Sequence, residues 1–83
     1  MRRLKGDLEG ALGDFDHAIS MKPYDSYIMN NRGVARRKKG DLEGALRDFS
    51  EAVRIKPDNA NAVINCDGVR KALSDRSKTD HGG

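Results

Sequence analysis

The chain repeats itself after 34 residues. Lys5-Gly-Asp-Leu-Glu-Gly-Ala-Leu-Gly-Asp-Phe15 returns as Lys39-Gly-Asp-Leu-Glu-Gly-Ala-Leu-Arg-Asp-Phe49, and the match continues through Ala18/Ala52 to Lys22-Pro23/Lys56-Pro57. Between Lys5–Pro23 and Lys39–Pro57, thirteen of nineteen aligned residues are identical. Five of the six differences, Asp16/Ser50, His17/Glu51, Ser20/Arg54, Ile19/Val53 and Met21/Ile55, exchange surface residues or one aliphatic for another. A fixed period of this length implies stacked units, each touching only its neighbours.

Within each copy the apolar residues recur at helical spacing: Leu8, Leu12, Phe15, Ala18 and Ile19, then Leu42, Leu46, Phe49, Ala52 and Val53. Asp7 and Asp41 precede these runs as N-caps, since a short carboxylate accepts from the free amides of the next turn. Glu9 and Glu43 favour the positive end of the helix dipole. Pro23 and Pro57 disfavour helical geometry in the lysine before them. Helices are therefore expected at about 7–21 and 41–55. Asp25 or Ser26 should open another, running to about Lys38, with Gly40 permitting the tight turn into Asp41. Asn59 stands one period after Asp25 and should cap a fourth helix at about 60–73. Ser74-Asp-Arg-Ser-Lys-Thr-Asp-His-Gly-Gly83 lacks an apolar period and is expected to be a polar, flexible tail. Short turns make the helices antiparallel neighbours.

The residues in these registers resemble the tetratricopeptide repeat, whose pattern places Gly in the first helix, Ala and Phe in the second, and Pro at the close. Gly33, Ala45, Phe49 and Pro57 match that pattern, and Ala11, Phe15 and Pro23 repeat its second half one period earlier. The resemblance covers about residues 5–73. It implies an all-α array of helix-turn-helix units: a partial repeat at 1–24, a full repeat at 25–58, a capping helix at 59–73 and the tail at 74–83. Met29, Arg32 and Arg36 depart from the large and aromatic residues common in the pattern, which predicts a weakly packing helix. Asp67 replaces the small Gly of the last unit. Gly10, Gly13 and Gly44, inside helices, should each cost about 1 kcal/mol relative to Ala.

Eighty-three residues form one small domain of modest stability. The chain is 35% charged, and it contains no apolar run near the roughly 20 residues of a membrane span. Met1-Arg-Arg-Leu-Lys5 is not followed by the apolar stretch of a signal peptide. The lone Cys66 fits a reducing compartment, so the expected location is cytoplasmic. Cys66 also occupies a family core position. His17 and His81 are far apart, Asp14 and Asp16 point apart on a helix, and Gly6-Asp7-Leu8-Glu9-Gly10 lacks the Gly-Lys-Ser/Thr ending of a phosphate loop. No catalytic residue, metal or cofactor is expected, so the chain reads as a non-enzymatic protein-interaction module.

The resemblance implies a concave groove lined by the first helix of each unit. On the helix after Asp25 that stripe is Tyr27, Asn30, Asn31, Val34, Arg37 and Lys38. Asn61, Asn65 and Lys71 are period-matched on the fourth helix, beside Ile64, Gly68 and Ala72. An Asn amide both donates and accepts, so Asn31 and Asn65 suit a peptide backbone. Arg37, Lys38 and Lys71 favour an acidic segment or a terminal carboxylate. Of the two-carboxylate clamp used by some relatives, only Asn31 matches, so that activity is not expected. The alternatives are a self-assembling structural unit, through Leu8, Leu12, Phe15 or Ile19 left open in the incomplete first repeat, and sequence-blind nucleic-acid binding through Arg36-Arg37-Lys38-Lys39.

Overall fold

The computed structural model describes residues 5–82 as four helices: α1 (Lys5–Met21), α2 (Ser26–Lys39), α3 (Leu42–Ile55) and α4 (Ala60–Gly82). Residues 1–4 of the expected partial repeat and Gly83 of the expected tail lie outside the described region. α1 packs on α2, α2 on α3 and α3 on α4, with a further contact between α2 and α4. This is an all-α, tetratricopeptide-like arrangement.

Each turn follows from its residues. The Asp25 carboxylate accepts from the amides of Tyr27 and Ile28, at 2.9 and 3.1 Å, and starts α2. Gly40 ends it in the left-handed region, φ 96°, where a side chain would be strained. The amides of Gly40 and Asp41 close onto the Arg37 and Arg36 carbonyls. Asp41 then caps α3 by accepting from Gly44 N at 2.9 Å. Lys56, extended before Pro57, stops α3. Asn59 Oδ1 accepts from Ala62 N at 3.3 Å to open α4.

Two boundaries differ from expectation. α1 begins at Lys5, so Asp7 lies inside the helix rather than capping it. Gly40 is forced to turn because α2 ends there; among the described residues no helix ends at Gly6, and the same Gly-Asp pair continues as helix. α4 extends to Gly82 rather than stopping near 73, through part of the segment expected to be a tail. No Pro or Gly interrupts residues 74–81, and Arg76 Nη2 donates to Glu43 Oε2 at 2.6 Å, fastening the extra turn to the start of α3.

The core forms where α2, α3 and α4 meet. Ala45, Phe49, Cys66 and Val69 are buried together, flanked by Val34, Leu42, Leu46, Val53 and Leu73. Met29, Ala52 and Ala62 form a second cluster, against which Ile19, Val53 and Ile55 pack. Ile19 therefore faces inward and is not part of an open α1 surface. Ser26 joins the three helices from within: its hydroxyl donates to Ala52 O at 2.8 Å and accepts from Asn59 Nδ2 at 2.9 Å.

The two copies of the repeated segment are buried differently. Phe49 is fully buried, whereas Phe15, its equivalent, is half-buried. Identical neighbours in sequence thus meet different neighbours in space. Among the described residues, only α3 has a helix covering this face.

Candidate interaction surface

Helices α2 and α4 lie side by side, and the sequence-predicted stripe falls across them. Tyr27, Asn31, Arg37 and Lys38 of α2 are exposed, as are Asn61, Ile64 and Lys71 of α4. Val34 and Asn65 are half-buried. The guanidinium of Arg37 leans over Gly68, within 3.7 Å of where a β-carbon would stand, so the missing side chain gives it room.

Asn30 is not an accessible contact. It is only 8% exposed, and its Oδ1 accepts from Asn65 Nδ2 at 3.0 Å. The helical period places Asn30 three residues after Tyr27 and turned toward α4, so its amide oxygen joins the two helices. Asn65, half-buried, is likewise engaged through its Nδ2 donor. Asn31, one residue on, keeps its exposed position.

The remaining stripe residues divide between two hollows. Asn31, Val34 and Lys38 face α1, where with Leu8, Ala11, Phe15 and Ala35 they line a groove of about 260 Å³. Tyr27 lies at the other end of α2, beside Tyr24, Ile55 and Lys56.

Sequence reasoning missed the ion-pair network behind the stripe. Arg32 donates from Nε to Asp48 Oδ2 at 2.9 Å and from Nη2 to Asp48 Oδ1 at 2.8 Å. Its third nitrogen reaches Asp16 Oδ1 at 2.7 Å, and Arg36 Nη1 approaches Asp48 Oδ1 at 3.4 Å. The Asp48 hydrogen bond, more than any other cause, raises the Arg32 pKa above its ordinary value; partial desolvation opposes it and Asp16 adds to it. Arg32 and Arg36 therefore bind α2 to its neighbours by charge where the family pattern would use apolar packing. A signal was available: Asp48 falls on the buried stripe Ala45, Asp48, Phe49, Ala52, where a carboxylate requires a cation. Asp16 is exposed but paired with Arg32.

Cys66 is buried with its thiol 3.7 Å from Ser50 Oγ. His17 and Asp14 are exposed on α1. Among the described residues no three His, Cys, Asp or Glu side chains are placed to hold a metal ion, and no helix is long and apolar enough to cross a membrane.

Residues 26–59, which span α2, α3 and the turns that follow them, match the family model of the tetratricopeptide repeat. Residues 26–59 form a tetratricopeptide repeat. The matched segment includes Gly33, Ala45, Phe49, Ala52 and Pro57, the residues that the structure places at the α2–α3 interface and at the closing turn. No curated protein matches the chain. Tetratricopeptide repeats generally mediate protein–protein interactions, and they are typically non-enzymatic scaffolds.

Proposed function

We propose that the exposed stripe across α2 and α4 holds an extended, acidic segment of a partner protein. The observation that carries this reading is the Asn30–Asn65 bond, which fixes the two helices side by side. Tyr27, Asn31, Arg37, Asn61 and Lys71 are thereby displayed on a preformed surface. A preformed surface spares a ligand much of the ordering cost of binding. Asn31 and Asn61 supply amides for a peptide backbone, while Arg37 and Lys71 supply charge for carboxylates.

The basic run is a poorer fit to a nucleic acid. Arg36 lies 3.4 Å from Asp48 and Lys39 Nζ lies 2.7 Å from Glu9, so two of its four cations already face carboxylates. A phosphate contact would have to compete with both.

The test uses a fluorescent glutamate-rich peptide with a free terminal carboxylate, titrated by anisotropy. Asn31→Ala with Arg37→Glu should weaken binding by about tenfold or more, a loss of about 1.4 kcal/mol, with helical circular dichroism unchanged. Unchanged affinity in the double variant would move the site elsewhere. A single-stranded oligonucleotide binding more tightly than the peptide, with a steep salt dependence, would favour the phosphate reading instead.

A further inference from the structure

We infer that the open face of α1 is a docking surface for a helix of a partner protein, one that presents an arginine immediately followed by a glycine or alanine. The face consists of Leu8, Ala11, Asp14 and Phe15 of α1 with Asn31 of α2. Each of these five residues recurs unchanged one period later, as Leu42, Ala45, Asp48, Phe49 and Asn65. In that second setting the structure contains the occupant: α2 covers the face.

The covering contacts define what fits. Gly33 lies against the Phe49 ring, so closely that a β-carbon there would stand 2.6 Å from Cε1. Arg32, the residue before it, forks onto Asp48 at 2.8 and 2.9 Å. Asn30 accepts from Asn65. Moved back by one period, these contacts call for a small residue over Phe15, an arginine before it over Asp14, and an amide near Asn31. The first-unit face has the residues to receive all three. Phe15 is half-buried and Asp14 and Asn31 are exposed. Leu8, Ala11, Phe15 and Asn31 line a groove of about 260 Å³.

The chain's own fourth helix does not meet the requirement. The α4 residues in the registers of Asn30, Arg32 and Gly33 are Ile64, Cys66 and Asp67. Asp67 would put a carboxylate over the Phe15 ring and beside Asp14, where a small residue and a cation are needed. α2 has the right pattern, but its Gly33 is already used against Phe49. The occupant is therefore a different helix, and the charge of Asp67 discourages head-to-tail stacking of copies.

The probe is a peptide with the sequence of residues 25–40, held helical by an i,i+4 side-chain link, and titrated into the full chain. Saturable binding is expected, weakened at least tenfold by Gly33→Leu in the peptide. Asp14→Arg in the chain, at an exposed site, should weaken binding similarly. Arg32→Asp in the peptide should restore affinity for that variant, a rescue that mere stickiness would not produce. Absence of binding, or binding indifferent to Gly33→Leu and Asp14→Arg, overturns the inference. So does a concentration-dependent dimer of the chain alone that Asp14→Arg returns to monomer, since the occupant would then be a second copy. Asn61→Ala with Lys71→Glu separates this site from the acidic-peptide stripe: it should weaken the glutamate-rich peptide and leave the helical peptide unaffected.

Discussion

Gly33 of α2 rests against the ring of Phe49 in α3, where a β-carbon would come within 2.6 Å of Cε1 and 2.7 Å of Cδ1. No side chain fits between them unless the ring moves, and Phe49 is fully enclosed. Gly33→Val should therefore destabilise the fold by about 1–3 kcal/mol through overpacking. Gly13, also helical, has nothing within 4 Å of its β-position. Gly13→Ala should stabilise by about 1 kcal/mol through helix propensity alone. Thermal melting of the two variants checks the pair: opposite shifts are expected, and a matched shift would mean that Gly33 is not a packing residue.

Phe49→Ala removes the largest side chain of the core and should cost about 3–5 kcal/mol, much of what so small a domain has. Phe15→Ala deletes the same residue from the same local sequence, but where it is only half-buried. Its cost should be clearly smaller. Urea denaturation measures both, and equal losses would contradict the difference in burial.

The Arg32–Asp48 pair should be costly to break and cheap to replace. Asp48 is buried and Arg32 retains partial exposure, with side chains 4% and 19% accessible. Arg32→Met leaves a buried carboxylate with only the longer Arg36 contact, at an expected loss of about 2–4 kcal/mol. Adding Asp48→Leu removes the stranded charge and should recover part of that loss. Simple additivity of the two losses in denaturant midpoints would mean that the pair is not coupled.

Glu43 provides a pH-dependent fastening. Its own backbone amide, and then Arg76, hold its carboxyl below the usual carboxylate range. A depressed folded-state pKa means that the contribution is fully present above the unfolded value, near pH 4.3, and is lost as pH falls through the folded value. Amide protection in the turn around Arg76 should hold steady from neutral pH to about 5 and decline below about 4. Arg76→Ala should lower protection at neutral pH and flatten that dependence. Hydrogen exchange followed by NMR reads both.

Much of the fold was legible because the repeat states its grammar twice. The caps at Asp25, Asp41 and Asn59, the stop at Pro57 and the turn at Gly40 are local chemistry, and local chemistry is readable residue by residue. What was less legible depends on three-dimensional neighbours. Asn30 looked like a groove residue because the period cannot say which of two adjacent asparagines turns toward α4. Arg32 and Arg36 looked like packing defects because their carboxylate partner, Asp48, lies twelve or more residues away. Asp7 looked like an N-cap because Asp41 is one, although α1 already runs through it from Lys5. The extension of α4 past 73 followed from the absence of a breaker and from the Glu43–Arg76 contact, which polar composition concealed.

The interaction surface itself is tested most directly by mapping where an acidic peptide touches. Amide and side-chain NMR resonances of the labelled chain would be followed during titration with the glutamate-rich peptide. The expected result is saturable shifts at Asn31, Arg37, Asn61 and Lys71, with Asp14 and His17 on α1 unmoved. Shifts confined to α1, or spread evenly over every cationic residue, would contradict a peptide site on the α2–α4 face.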